Sequence, residues 1–232
     1  MQILDTLRLE NPIWNSLRTD HAALALGDDH ARRYPPEIGP LSGIPDQSPE
    51  SYAKLQELAG TNPVVLFSIE PYRIPSGWRR VRGGELVQMV RTSPPADLGW
   101  INARTPVRRL TAEDAPAMVA LAELTEPGPF RLRTIELGNF YGIFHGEALV
   151  AMSGKRMHLP GLVEVSGVCT HPDARGRGYA AQLMSLVIDE IEREGKIPIL
   201  HAFADNPAVR LYERLGFRLR QRLELAVIKL EA

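Results

Sequence analysis

Apolar positions recur along this chain in two periods, and each period marks a kind of element. Val163, Val165 and Val168 belong to a β-prone apolar run, which predicts a strand over Leu162–Thr170. Beyond a glycine-rich turn, Leu183, Met184, Val187, Ile188 and Ile191 return at helical spacing and predict a helix over Tyr179–Arg193. Upstream, Asn139–Phe144 and Ala148–Ser153 read as a hairpin around His145-Gly146-Glu147, with Lys155, Arg156 and Met157 continuing its second strand. Val107–Leu110 predicts a short strand. The helix after it carries Met118, Leu121 and Leu124 and opens on a capping box, Thr111 with Asp114. Phe130–Leu137 reads as a second short helix, ended by Gly138. Pro198–Ala204, Pro207–Leu215 and Leu223–Leu230 complete this half as strand, short helix and strand.

The first hundred residues follow a different rhythm. Asn11 and Pro12 suit the start of a short helix, and Ala22–Leu26 and Ala31–Tyr34 suit short strands about a Gly27-Asp28-Asp29 turn. Prolines at 35, 36, 40 and 45 confine any strand there to an edge. Ser48 caps and Pro49 opens a helix with a stripe of Tyr52, Leu55 and Leu58, closed by Gly60. Val64–Ile69 and Leu86–Val90 read as buried strands, and Thr92–Asp97 as a linker. The chain therefore divides into a smaller N-terminal α/β domain, residues 1–98, and a larger domain, residues 99–232.

Composition narrows the function classes. Of 232 residues, 44% are hydrophobic and 24% charged, ordinary for a globular protein. A net charge of -1 gives no general attraction to nucleic acid or an anionic membrane. Cys169 is the single cysteine, so there is no intrachain disulfide and no multi-cysteine metal site, which fits a reducing, cytoplasmic setting. No apolar run is long enough to span a bilayer, and the first residues do not read as a signal peptide.

The chemistry concentrates in the turn between strand and helix, Arg175-Gly176-Arg177-Gly178-Tyr179-Ala180. Glycines let backbone approach a ligand closely, a helix start offers free N–H groups, and two arginines add charge. The stretch is suited to a phosphate group. No Walker lysine follows, and a dinucleotide fingerprint, with Ala181 at its third glycine and Glu194 downstream, fits less well. Together with Asn206-Pro207-Ala208-Val209-Arg210-Leu211-Tyr212-Glu213-Arg214-Leu215-Gly216-Phe217, the turn resembles the paired motifs of the GNAT superfamily of acyl-CoA-dependent N-acetyltransferases. The resemblance runs over about Thr111–Ala232 and leaves the first hundred residues unexplained. Their strand–helix–strand order is similar to part of the same fold, so that half is either a degenerate copy without a phosphate cradle or an unrelated lobe.

The resemblance implies a mixed α/β fold with a central, mostly antiparallel sheet flanked by helices. It also implies transfer of an acetyl group from acetyl-CoA directly to a primary amine, on a small molecule or a peptide. No metal is needed, and a homodimer is compatible with it. Arg175, Gly176, Arg177, Gly178, Tyr179 and Ala180 would hold the pyrophosphate, and backbone at Val168, Cys169 and Thr170 would pair with the pantetheine arm, joined by Asn206. The Cys169 thiol itself reads as packing. Tyr212 would protonate the leaving thiolate, against the alternative of a plain helix-core residue. For the base there are two candidates. Glu164 shares a face with Val168 by period two and reads as a pocket carboxylate or a structural ion pair; His201 is the other candidate because the unperturbed histidine pKa lies near neutrality, against the commoner structural role of a lone strand histidine. His171 reads as a turn residue, and Phe130, Arg131 and Arg133 fall in the region that borders the acceptor pocket, where solvated or core roles are favoured over substrate contact. A non-catalytic acyl-CoA-binding sensor or interaction module is the alternative.

Overall fold

The structure, a computed structural model, describes residues 6–94 and 105–231. Most of the expected elements form. Helix α1 (Pro12–Arg18) starts with Pro12 at its first position, but Asn11 does not cap it: its Nδ2 donates to Ile44 O at 2.7 Å. Ala22–Leu24 is a 3-10 turn rather than a strand. Strands β1 (Leu26–Gly27), β2 (Arg32–Arg33) and β3 (Ser42–Gly43) make a small antiparallel sheet, each strand cut to two residues by the neighbouring prolines and turns. Helix α2 (Pro49–Ala59) begins as expected, Ser51 N donating to the Ser48 side chain.

Eight strands form the main sheet. In chain order they are β4 (Val64–Ser68), β5 (Trp78–Arg91), β6 (Arg108–Arg109), β7 (Phe140–His145), β8 (Ala148–Leu159), β9 (Leu162–Thr170), β10 (Ile197–Phe203) and β11 (Phe217–Leu230). Their order across the sheet is β4-β11-β5-β10-β9-β8-β7-β6, antiparallel throughout except for β9 with β10. Strands β4 and β5 of the first hundred residues thus enter the same sheet as the C-terminal strands, and β5 lies inside it, between β10 and β11. The expected domain boundary at residues 98 and 99 lies outside the described residues, as does part of the expected linker.

Side-chain alternation sorts the core onto two faces. Helix α1 covers one with Ile13 and Leu17, joined by Leu9 from the 3-10 turn before it, against Phe67, Leu86, Leu162 and Ile199. Helix α3 (Ala115–Thr125) packs against β8 and β9 with Met118 and Leu121, while Leu124 is exposed. On the other face, α4 (Tyr179–Arg193) and α5 (Val209–Arg214) bury Met184, Val187, Ile188 and Tyr212 against Val163, Val165 and Leu200. The predicted helix over Phe130–Leu137 reduces to one 3-10 turn, Thr134–Leu137. Under α1, His21 Nδ1 meets Tyr34 Oη at 2.8 Å and its ring stacks on His158, centroids 4.8 Å apart, tying the N-terminal segment to β8.

Candidate active site

The sheet opens where its one parallel pair parts. Strands β9 and β10 are in register only at Leu162 with Ile197, Val163 with Pro198 and Glu164 with Ile199, and beyond these positions they diverge. In the gap lies a cleft of about 110 Å3 lined by Val168, His201, Ala202, Phe203, Asn206 and Tyr212. A bulge in β9 shapes it: the pairing with β8 slips between Met152 and Gly154, and Gly167 takes φ 61°. Only glycine suits that position, because a Cβ would meet Phe140 Cε1 at 2.9 Å.

The bulge overturns one expectation. Period-two counting puts Glu164 and Val168 on one face; with an extra residue in between, Val168 joins Val163 and Val165 on the α4 side. Glu164 points to the other face, fully buried, and does not line the cleft. It accepts from Arg156 Nε and Nη2, each at 2.7 Å, and from His201 Nδ1 at 2.7 Å. Burial alone would raise its pKa, but the Arg156 charge and hydrogen bonds, helped by His201, hold it down at about 2. A carboxylate held that low is a weak base at neutral pH. The geometry is that of the buried ion pair.

His201 does line the cleft, and its tautomer follows from its neighbours. Gln88 Oε1 accepts from Arg220, and Gln88 Nε2 donates to Leu9 O, which fixes the amide orientation. Gln88 Nε2 therefore donates to His201 Nε2 at 2.9 Å, leaving Nδ1 to carry the hydrogen toward Glu164. In this tautomer the ring's lone pair lies on Nε2.

Tyr212 reaches the cleft from α5, and its hydroxyl has no hydrogen-bond partner among the described residues. Burial, with Cys169 nearby, pushes its pKa up to about 12, so the phenol stays protonated. Cys169 is buried among Met118, Leu121 and Phe140, and burial raises its thiol to about 12. A thiol so protonated is a poor nucleophile. Asn206 Oδ1 accepts from Ala208 N at 2.9 Å, a turn before α5, while the residue also lines the cleft.

The glycine turn builds a second hollow, lined by Thr170, residues 174–181 and Leu211. Gly176 and Gly178 have φ 77° and 78°, and a Cβ on either would meet nothing within 4 Å. Positive φ, rather than crowding, calls for glycine here. No side chain caps α4, so its first N–H groups face open space, with Arg175 and Arg177 exposed beside them. Tyr179 is buried, its hydroxyl 2.9 Å from His145 Nε2. His171 Nδ1 accepts from Asp173 N within the turn.

On the acceptor side the expected residues separate. Phe130 packs edge-on against Phe140, Arg133 pairs with Glu136, and Arg131 lines a groove that continues from the cleft. The sequence reading missed Arg156, Gln88 and the walls given by the N-terminal strands, Phe67 and Leu86. Spacing alone gives no signal for Arg156. Counting back from the turn at Pro160-Gly161, where Leu159 pairs with Leu162, places Met157 opposite Glu164; a slip of register between Lys155 and His158 brings Arg156 beside it.

This architecture recurs in known proteins. A solved structure from Novosphingobium aromaticivorans, assigned to the GNAT family of acetyltransferases, is 37% identical, covers 97% of this chain and 99% of its own, and superposes with a TM-score of 0.87. The chain belongs to the GNAT family. It is accordingly an acyltransferase with a mixed, mostly antiparallel sheet. The FR47-like protein family matches residues 140–225, the span from β7 into β11. A GCN5-related N-acetyltransferase from Kribbella flavida shares the fold at 15% identity, covering 98% of this chain and 96% of its own with a TM-score of 0.61. A mycothiol acetyltransferase from Brachybacterium faecium is 37% identical over 82 residues, 33% of this chain and only 25% of that protein. Among the described residues, no helix is long and apolar enough to cross a membrane, and no cluster of three metal-ligating side chains occurs.

Proposed function

We propose that this GNAT acyltransferase moves an acetyl group from acetyl-CoA directly to a primary amine, in the cytoplasm and without a metal. The observation that carries the reading is the alignment of two hollows along β9. The uncapped start of α4 lies at one end of the strand, and the cleft holding Tyr212 and His201 opens along its other stretch.

The residues present fit the cofactor. N–H groups at Arg177, Gly178, Tyr179 and Ala180, with Arg175 and the open glycine surfaces at 176 and 178, suit a pyrophosphate. Backbone at Val168, Cys169 and Thr170, where β9 has lost its neighbour β10, suits an extended amide-bearing arm, with Asn206 across the gap. The thioester supplies an activated acyl carbon. As the new C–N bond forms and the C–S bond breaks, the amine loses a proton and the thiolate gains one. Tyr212, neutral and facing the cleft, donates to the thiolate. His201 takes the amine's proton at Nε2 once that atom has released its hydrogen bond from Gln88, and Glu164 keeps the ring's other hydrogen on Nδ1. Tyr212 thus acts as the acid, and Glu164 positions the base.

Isothermal titration of the protein with acetyl-CoA, beside NAD and ATP, tests the reading. Micromolar binding of acetyl-CoA alone supports it; a folded sample that binds no acetyl-CoA overturns it.

A further inference from the structure

One charged group in the cleft is not used by the chemistry above. Arg156 is only 9% exposed, yet it spends a single edge of its guanidinium, Nε and Nη2, on Glu164. Nη1 has no partner among the described residues. It faces the loop at Gly128, where a built Cβ would lie 4.0 Å from it. The side chain lines both the cleft and a niche of about 10 Å3 beside it, between Pro129 and Gly167. Nη1 keeps contact with the open cleft, so a ligand that displaces water from it must offer an acceptor in exchange, and Glu164 already divides its charge between Arg156 and His201. This corner is therefore built to receive an oxygen anion. The niche has room for about one water, so the anion would sit in the cleft itself, where guanidinium geometry matches a carboxylate.

A second feature adjoins it. The cleft continues into a groove of about 440 Å3 walled by Val65, Phe203, Leu225, Val227 and Pro129. Glu126 stands at the junction of the two, and it is the sole non-glycine residue with positive φ among the described residues. Arg156 in the wall and Glu126 at the mouth offer opposite charges to a ligand that carries both.

We infer that the acceptor is an amine bearing a carboxylate, held by Arg156 Nη1, and an apolar substituent that occupies the groove: the chemistry of an apolar α-amino acid. The inference rests on the acyl-transfer reading and deepens it. Arg156 is then a specificity-determining residue, and the walls from β4 and β5 (Val65 and Val81) give the first hundred residues a part in substrate choice.

Matched amines test this. With acetyl-CoA saturating, thiol release is measured for phenylalanine against phenethylamine and for leucine against isoamylamine, using the wild-type protein and Arg156→Lys. The lysine keeps a cation beside Glu164, and a melting curve checks the fold. The expected result is kcat/KM higher by about tenfold or more for each carboxylate-bearing amine. In Arg156→Lys that advantage falls through KM for the amine, while KM for acetyl-CoA holds. Binding of N-acetylphenylalanine, but not N-acetylphenethylamine, to the CoA-loaded protein is a second readout that needs no turnover. Equal or reversed preference within the pairs overturns the inference and leaves acyl transfer standing. So does absence of turnover with either amino acid combined with no product binding, while acetyl-CoA still binds. Failure to bind acetyl-CoA overturns the underlying function instead.

Discussion

Glu164 and Arg156 meet side by side across the β8–β9 ladder, two 2.7 Å hydrogen bonds joining a fully buried carboxylate to a nearly buried guanidinium. Removing one charge strands the other. Glu164→Gln is expected to destabilise the protein by about 3–5 kcal/mol, the usual cost of leaving a buried charge unpaired. The pair also sets a pH dependence. The folded carboxyl is depressed from 4.5 to about 2, so its contribution is complete above the unfolded value and is lost as pH falls from about 4.5 toward 2. Urea midpoints of wild type and Glu164→Gln across that range should converge at the acid end.

Tyr212 tests the proton-donor role. Tyr212→Phe keeps the packing of α5 and removes only the hydroxyl. Turnover should drop about 100-fold or more while acetyl-CoA affinity stays near the wild-type value. With the phenol held at about 12, the wild-type kcat should show no alkaline limb from this group below that pH. Unaltered turnover in the variant would return Tyr212 to a packing role.

Gly178→Asp places a carboxylate at the start of α4 in a residue with φ 78°. Asp tolerates that backbone better than most residues, so the fold should persist with a loss of about 1–2 kcal/mol. Its charge would oppose the anion expected there. Acetyl-CoA should bind about 100-fold more weakly by titration; equal binding would remove the cradle from the account.

The stacked histidines predict a separate acid sensitivity. Burial, with His158 and Lys196 nearby, lowers His21 from 6.5 to about 3, and burial also lowers His158. Lys155 faces the pair with the same effect, and Asp20 and Glu194 oppose it. Both rings stay neutral in the folded state while the unfolded chain takes up protons. Stability from this pair is complete above about 6.5 and declines as pH falls toward 3. His21→Gln should flatten the melting-temperature profile between pH 6.5 and 4.5, before Glu164 begins to titrate.

Much of this was legible in the sequence where one period governs one element. Helix α4 has the expected bounds because its apolar stripe, open glycine start and exposed face agree locally. Strand β9 was legible for the same reason, but the direction of Glu164 was not. Gly167 carries the bulge, and a bulge glycine cannot be told from an ordinary strand glycine by spacing. Phe130–Leu137 shows helical spacing but lacks the length to hold a helix against its Pro127 and Pro129 start. Strand β4 was legible and β5 only over Leu86–Val90 of its span Trp78–Arg91, and their place in the sheet was not. Pairing of Trp78–Arg91 with Phe217–Leu230 is a long-range choice that no local pattern encodes.

That pairing has a consequence for how the molecule comes together. Strand β5 is the seam that joins β10 to β11, and it is made early in the chain while both neighbours are made late. Until residues 217–230 emerge, β5 has bare backbone along its flanks, a template for pairing with another molecule. Closing the sheet is then a slow, non-local step. Residues 105–231 produced without β5 would face the converse difficulty, two unpaired strands next to the cleft. The glycine turn and Tyr212 can each be encoded in a dozen residues, but the opening that brings them to a common ligand exists only once the first strands of the chain have met the last.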